Sequence, residues 1–374
     1  REETMPSEAS IGVKAAVIRE KSGEFHIEDL CLESPRRDEV LVRIAGVGVC
    51  HTDLVCRDQY FPVPLPCVFG HEGSGIVESV GESVTKVKPG DRVVLSYLSC
   101  GECEPCLEHS PGYCHELYGC NFAATRRDAS TTLRKGSEVI HGNFFNQSSF
   151  ATHALATEKN TVKVPDDVPL DLLGPLGCGV QTGAGAVMNS LNPRPGMSIA
   201  IFGCGSVGLA AVMAAKVAGC SQIIAVDPNA SRLELARELG ATHAIDPTRG
   251  DPIEGIHQIR PTGVHYTLEC TGIPEVLRQA VDSLTLTGVC GLIGVSPVGT
   301  ECAIDMNSIM FGRSLRGIIE GDSVPDVFIP RLVELYKQGR FPFDKLITFY
   351  KLEDINKAVE DTEQGKVIKA VLRP

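Results

Sequence analysis

MSIAIFGCGSVGLAAVMAA, residues 197–215, carries no charge and is long enough to span a bilayer. Its three glycines, Gly203, Gly205 and Gly208, argue for something else. A short β-leaning run precedes them and a small-residue helical run follows, so the stretch reads as a buried strand, a turn and a buried helix. The glycines fit G-x-G-x-x-G, a weak signal alone because glycine is common. Here a strand leads in, a helix leads out, and the next strand-like run, IIAVD (223–227), ends in Asp227. A dinucleotide site needs that context: a tight turn, close backbone approach to a pyrophosphate, and a helix N-terminus aimed at it. An acid at the end of the second strand accepts hydrogen bonds from both ribose hydroxyls and repels a 2′-phosphate, so Asp227 favours NAD over NADP. Arg232 is placed to flank the adenosine ribose. The competing readings are a purely structural glycine turn and, for Arg232, a solvated helix residue.

Outward from this turn, strands and helices alternate. Helices are expected at about 206–219, 229–239 and 274–284, and β-leaning runs at 265–270 and 289–295. Such alternation implies a parallel sheet with right-handed crossovers. The chain before residue 175 reads as β-rich, with runs at 13–19, 39–47, 73–80 and 91–95. Residues 98–120 look like a cysteine-dense loop, and 121–146, with Arg126, Arg127, Arg134 and Lys135, like a long exposed excursion. Beyond about 322 an amphipathic helix near 329–338 and a final strand, KVIKAVL, are expected. No repeat or low-complexity tract is visible.

Composition narrows the function. With 374 residues, 43% hydrophobic and 22% charged, the chain suits two or three folded domains. Its net charge of −12 disfavours a phosphate backbone, so nucleic acid is an unexpected partner. Fifteen cysteines are an odd inventory for disulfides. Residues 1–10, REETMPSEAS, lack the apolar core of a signal peptide, which favours a reducing, cytoplasmic compartment.

Spacing sorts the thiols. Cys100, Cys103, Cys106 and Cys114 sit close together in a loop with Gly and Pro, and four thiolates can close a tetrahedron around Zn²⁺ with no open position. A disulfide pair or an iron–sulfur cluster competes, although clusters usually use other spacings. Cys50 opens C-H-T-D, His71 lies in G-H-E-G, and Cys178 lies in G-C-G just before the nucleotide fold. Singly each is more often core than ligand. Together they offer Cys₂His, a set used by catalytic zinc.

These motifs, with G-I-V-E-S-V-G at 75–81 and G-D-R-V at 90–93, resemble those of the zinc-dependent medium-chain alcohol dehydrogenases over nearly the full length. CHTDLVCRDQYFPVPLP, NFFNQSSFATHAL and LLGPLGCGVQTGAGAVMNSL further resemble the benzyl (aryl) alcohol dehydrogenase branch. The resemblance implies a Rossmann doubly wound parallel sheet (179–321) inserted in a β-rich GroES-like zinc catalytic domain (1–178 and 322–374). It implies Cys50, His71 and Cys178 as ligands of a reactive zinc, and a second, structural zinc on the four-cysteine loop. Thr52 is implied as the hydrogen-bond partner of the substrate oxygen, Asp53 as the group that orients His71, and Glu72 as a carboxylate near the metal that could serve as an alternate ligand. Thr182 and Val207 match positions packing on the nicotinamide, and His51 and Lys369 match basic positions near the pyrophosphate. His51 also has a plain surface reading. Tyr97 resembles a pocket wall, to which Phe61, Phe150 and Ile319 are added as apolar lining, each of them more often core packing.

Two departures bear on function. Many relatives carry a histidine five residues after the first ligand cysteine, where this chain has Val55, so a proton relay must leave by ribose hydroxyls, water or His51. In the glutathione-dependent formaldehyde branch a cation follows the fourth loop cysteine. Here His115-Glu116-Leu117-Tyr118-Gly119 follows Cys114, which argues against glutathione adducts. The expected activity is NAD-linked oxidation of a primary, benzyl-type alcohol by a homodimer or homotetramer joined through the sheet edge near 295–320. General aliphatic or allylic alcohol oxidation, and a non-catalytic zinc-stabilised relative, are the alternatives.

Overall fold

In the computed structural model, which describes residues 10–374, strand Ser198–Phe202 enters the glycine turn and helix Ser206–Val217 leaves it. The leader reading above falls on residues outside this range, save Ser10. Five residues of the strand and eight of the helix are buried, which accounts for the uncharged run. Among the described residues no helix is long and apolar enough to cross a membrane. Around that strand six strands are ordered His243–Ile245, Gln222–Val226, Ser198–Phe202, Val264–Glu269, Leu284–Leu292 and Ser314–Gly317. Every neighbouring pair is parallel. In sequence order this is 3-2-1-4-5-6, the Rossmann arrangement. Strands His243–Ile245 and Ser314–Gly317 lie outside the expected runs. They are the two edges, and Ser314–Gly317 is exposed throughout, so neither carries a hydrophobic run to read.

The chain forms two compact units. One contains the residues up to Cys178 with Pro325–Val333 and Leu346–Pro374; the other contains Gly179–Val324 and Glu334–Lys345. Helix Pro325–Lys337 thus contributes to both, where the sequence reading had a single return near 322.

The first unit is built on two sheets. One runs Thr161–Lys163, Arg92–Leu95, Gly73–Val80, Glu39–Gly48, Lys369–Arg373, Ile347–Lys351, with His153–Thr157 also paired to Glu39–Gly48. The other runs Cys67–Val68, Ile11–Ile18, His26–Leu32, Leu133–Lys135, Glu138–Ile140. The core between them includes the fully buried Phe69, Phe144 and Phe150. Each such ring contributes about 1.5–3 kcal/mol of burial.

Residues 121–146 are not an exposed excursion. They include the hairpin of strands Leu133–Lys135 and Glu138–Ile140, which extends the second sheet. Arg126 is buried, with its guanidinium on both oxygens of Glu39 (2.5 and 3.0 Å) and on Glu33 (2.7 Å). Buried guanidinium groups require such pairing, so this arginine belongs to the interior and not to a solvated loop. Arg127 does face solvent, beside Glu116. The cysteine loop also departs from a plain loop, holding short helices at Glu104–Leu107 and Leu117–Asn121.

Candidate active site and metal centres

Cys50 lies just beyond strand Glu39–Gly48 and caps helix His51–Arg57, and the cap organises the site. Asp53, in the first turn, accepts the Cys50 N–H at 3.0 Å through one oxygen. Through the other it accepts the Gly70 N–H at 3.0 Å and meets His71 Nδ1 at 2.9 Å. Asp53 and His71 are both sealed from solvent. The carboxylate therefore fixes the ring orientation, places the proton on Nδ1 and leaves Nε2 with its lone pair outward. Nε2 is buried and has no hydrogen-bond partner. An orphaned imidazole nitrogen in a sealed site calls for an electrophile, and the ligand atoms of Cys50, His71, Glu72 and Cys178 all lie within 4.8 Å of one another. Burial lowers His71 basicity, while Asp53 and Cys50 more than offset it and raise the ring's pKa well above the ordinary value, so a cation bound at Nε2 would displace a proton. The Cys50 thiol is lowered by Cys178, against its burial. Two soft thiols and one imidazole fit zinc.

Glu72 is the fourth member of the cluster, yet its two oxygens lie 3.0 Å from Lys369 Nζ, which also donates to the Val49 carbonyl at 3.1 Å. Lys369, expected near a pyrophosphate, is 2% exposed and committed to Glu72. Burial pushes Glu72 up to about 7 against the opposing pull of Lys369. Thr52 is half-buried, its Oγ1 3.9 Å from Cys50 Sγ. His51 is exposed and Val55 is buried.

In the cysteine loop, Cys103 and Cys106 sulfurs are 3.4 Å apart, Cys103 and Cys114 3.8 Å, and Cys100 and Cys106 3.9 Å. A tetrahedron with bonds of about 2.3 Å has edges near 3.8 Å, so the set fits zinc as it stands. Backbone N–H groups of Glu102 and Cys103 point at Cys100 Sγ, and that of Cys100 at Cys114 Sγ (3.3–3.4 Å), a pattern that favours thiolates. Among the described residues no two cysteines are joined by a disulfide.

In the second unit the glycine turn has three separate reasons for its residues. Gly203 has φ +91, and an added Cβ would meet Thr271 at 2.8 Å. A Cβ on Gly208 would stand 1.8 Å from the Gly203 carbonyl, so strand and helix could not approach. Gly205 faces open space, and the helix it precedes has no side-chain cap. Its free N–H groups suit a phosphate. Asp227 is buried and accepts from the Cys204 and Asn229 N–H groups (2.7 and 2.8 Å), with Arg232 at 4.0 Å. Gly183, beside Thr182, packs against the Val207 backbone, which brings those two expected neighbours together.

The pocket expectations divide. Tyr97 is buried at 4% and Phe61 is half-buried. Phe150 is fully buried, edge-on to Phe25 at 5.7 Å, and so is core. Ile319 is 44% exposed in the second unit. Sequence reasoning missed Phe145, whose ring stacks on His71 at 4.4 Å, and Phe122, which meets Phe145 at 5.1 Å and stacks with Phe61 and Tyr118. Phe145 has φ +49, a left-handed conformation costing about 1–2 kcal/mol that nothing in its residue type announces.

Residues 36–166 match the alcohol dehydrogenase GroES-like domain and residues 206–338 the zinc-binding dehydrogenase domain. The chain is 48% identical to geraniol dehydrogenase of Castellaniella defragrans, over 97% of its own length and 98% of the relative's. A zinc-binding-domain alcohol dehydrogenase from Burkholderia ambifaria has the same fold, with a TM-score of 0.96 at 52% identity over 98% of this chain and 99% of that one. Benzyl alcohol dehydrogenase from Acinetobacter calcoaceticus gives a TM-score of 0.95 at 48% identity, over 97% and 99%. A chain with this fold, these two thiol clusters and this glycine turn belongs to the zinc-type medium-chain alcohol dehydrogenases, a family of oxidoreductases that use zinc and NAD on small-molecule alcohols.

Proposed function

We propose that this enzyme oxidises primary alcohols whose carbinol carbon adjoins an unsaturated or aromatic carbon, benzyl-type alcohols first, with NAD⁺ as hydride acceptor. The observation that carries this is a run of rings leading away from His71. Phe145, 6% exposed, lies on the imidazole; Phe122, half-buried, follows; Tyr118, 52% exposed, is outermost. Flat π-faces at graded exposure suit a flat substrate, since aromatic pairs add about 0.5–1.5 kcal/mol beyond area burial. The allylic reading is favoured by the geraniol dehydrogenase relative, because geraniol and benzyl alcohol share an sp² carbon beside the carbinol.

Cys50, His71 and Cys178 would hold the reactive zinc, and Cys100, Cys103, Cys106 and Cys114 the structural one. When bound, zinc supplies a Lewis acid that eases loss of the alcohol proton near neutral pH, and NAD⁺ takes up the hydride. The chain's own residues do the rest. Asp53 holds the Nδ1 proton of His71 and keeps Nε2 free for the metal. Thr52 Oγ1 takes the hydrogen bond of the substrate hydroxyl. With Val55 buried, the adjacent exposed His51 offers the shortest way for that proton to reach solvent. Asp227 accepts from the adenosine ribose, the open backbone at Gly205 receives the pyrophosphate, and Thr182 and Val207 support the nicotinamide.

The exposed edge strand Ser314–Gly317, with Leu286, Met306, Met310 and Phe311 also exposed, is the surface through which two copies would pair as a homodimer or homotetramer. The two clusters of candidate metal-ligating thiols would stay reduced in a cytoplasmic compartment, which is the location we propose. NADH absorbance with zinc-replete protein and a panel of benzyl, allylic and saturated primary alcohols tests the reading. The highest kcat/KM is expected for benzyl or allylic members. Preference for saturated alcohols would overturn the substrate class, and no turnover of any alcohol would overturn the reading as a whole.

A further inference from the structure

Gln147 is 1% exposed and fills all four hydrogen-bonding positions of its amide. Its Oε1 accepts from the Gly73 N–H at 3.1 Å and from Ser149 Oγ at 2.8 Å. Its Nε2 donates to the His71 carbonyl at 2.9 Å and to the Ser96 carbonyl at 3.2 Å. Ser96 in turn donates its hydroxyl to the Gly177 carbonyl at 2.7 Å. One amide therefore ties together the segments that carry His71, Tyr97 and Cys178. A Cβ at Gly73 would lie 2.8 Å from Ser149 Cβ and 3.1 Å from Gln147 Oε1, so the last glycine of G-H-E-G makes room for this strut.

The same residue anchors a strained segment. Asn143, Phe145, Asn146 and Ser148 all have left-handed φ values between 48° and 66°. Asn160 supports the segment by donating to the Phe145 and Asn146 carbonyls, and Ser148 by donating to the Val68 carbonyl. Gln147 is the member of the segment whose side chain reaches the His71 backbone. It holds the His71 backbone, while Asp53 holds the imidazole, and it anchors the loop that lays Phe145 on that ring.

We propose that Gln147 is a specificity-determining positioning residue, which sets the placement of the Phe145 ring over His71 and so the discrimination between flat and flexible alcohols. This rests on the proposed substrate class only for which alcohols are preferred. Whatever preference the wild type shows must weaken when the strut is lost.

The test compares wild type, Gln147→Met and Ser149→Ala as zinc-replete holoenzymes, with metal content and Tm recorded. Met keeps the length and removes all four bonds; Ser149→Ala removes only one. The readout is the ratio of kcat/KM for benzyl alcohol to that for hexanol. The expected result is a fall of about five- to ten-fold in Gln147→Met, carried mainly by KM for the preferred alcohol, with a smaller fall in Ser149→Ala. Equal loss on both substrates, or an unchanged ratio in folded, metal-replete variants, would overturn the proposal. Should Gln147→Met fail to fold, the ratio in Ser149→Ala decides alone. If the wild type favours hexanol, the substrate class fails, while a ratio that still moves toward unity in the variants upholds the positioning role.

Discussion

Lys369 Nζ stands 3.0 Å from each carboxylate oxygen of Glu72, with both side chains buried and the two residues 297 positions apart in sequence. The contact joins the final strand to the segment that carries His71. Glu72 is thereby an anchored carboxyl group beside the candidate metal site, and Lys369 a structural partner sealed from solvent. Breaking such a pair costs more than removing it, because the survivor is left charged and buried. Lys369→Met is expected to lower stability by roughly 3 kcal/mol or more. The double variant with Glu72→Gln should recover a large part of the loss, as read from a double-mutant cycle in urea.

Asp53 accepts three hydrogen bonds, from His71, Gly70 and Cys50. An amide turns one acceptor into a donor facing N–H groups, and the His71 tautomer loses its guide. Asp53→Asn should release the reactive zinc about 10–100-fold more readily to a chelator, with the four-cysteine zinc retained. Equal retention of both metals would contradict the assignment.

Replacing Cys106 with serine breaks a cluster whose sulfurs are already at the spacing zinc requires. Metal analysis should show one zinc fewer per chain, and Tm should fall. Turnover per folded molecule at low temperature should change little, because the loop's four ligands leave no position for substrate.

Asp227→Ser removes the buried carboxylate proposed to favour ribose hydroxyls over a 2′-phosphate. The NAD⁺ over NADP⁺ ratio of kcat/KM should fall by at least about ten-fold, mainly through KM for NAD⁺. An unchanged ratio would remove the ribose role.

Arg19 holds Glu28 by two hydrogen bonds of 2.7 Å, and that pairing, against partial burial and with help from Lys135, lowers the Glu28 carboxyl from 4.5 to about 2. The folded state thus favours the ionised form. Its stabilisation is complete above about pH 4.5 and is lost as pH falls toward 2. Solvent screening of the half-open Arg19 limits it to roughly 1–2 kcal/mol. The Tm gap between wild type and Glu28→Gln should therefore be constant near neutrality and close as pH falls from about 4.5 toward 2; a gap still at its neutral size at pH 2 would refute this.

Much of the site was legible because its chemistry needs fixed residue types at short spacing. Gly203, Gly205, Gly208 and Asp227 belong to one strand–turn–helix–strand unit, and the loop cysteines lie within fifteen residues of one another. Thiols and glycines in such patterns have few other uses. Residues 121–146 misled for the opposite reason. Arg126 reads as a surface charge, and only its partners Glu33 and Glu39, about ninety residues earlier, make it an interior one.

By itself, then, the sequence determined the parallel nucleotide fold, the two thiol sets and the family, since local periodicity and ligand spacing are properties of short segments. Tertiary structure alone decided that Lys369 faces Glu72, that Phe145 lies on His71, and that Gln147 braces the segments of His71, Tyr97 and Cys178. Those contacts span many residues and depend on left-handed backbone and on exact donor–acceptor meetings across sheets. Phe, Gln and Lys have no spacing rule that would announce such a role.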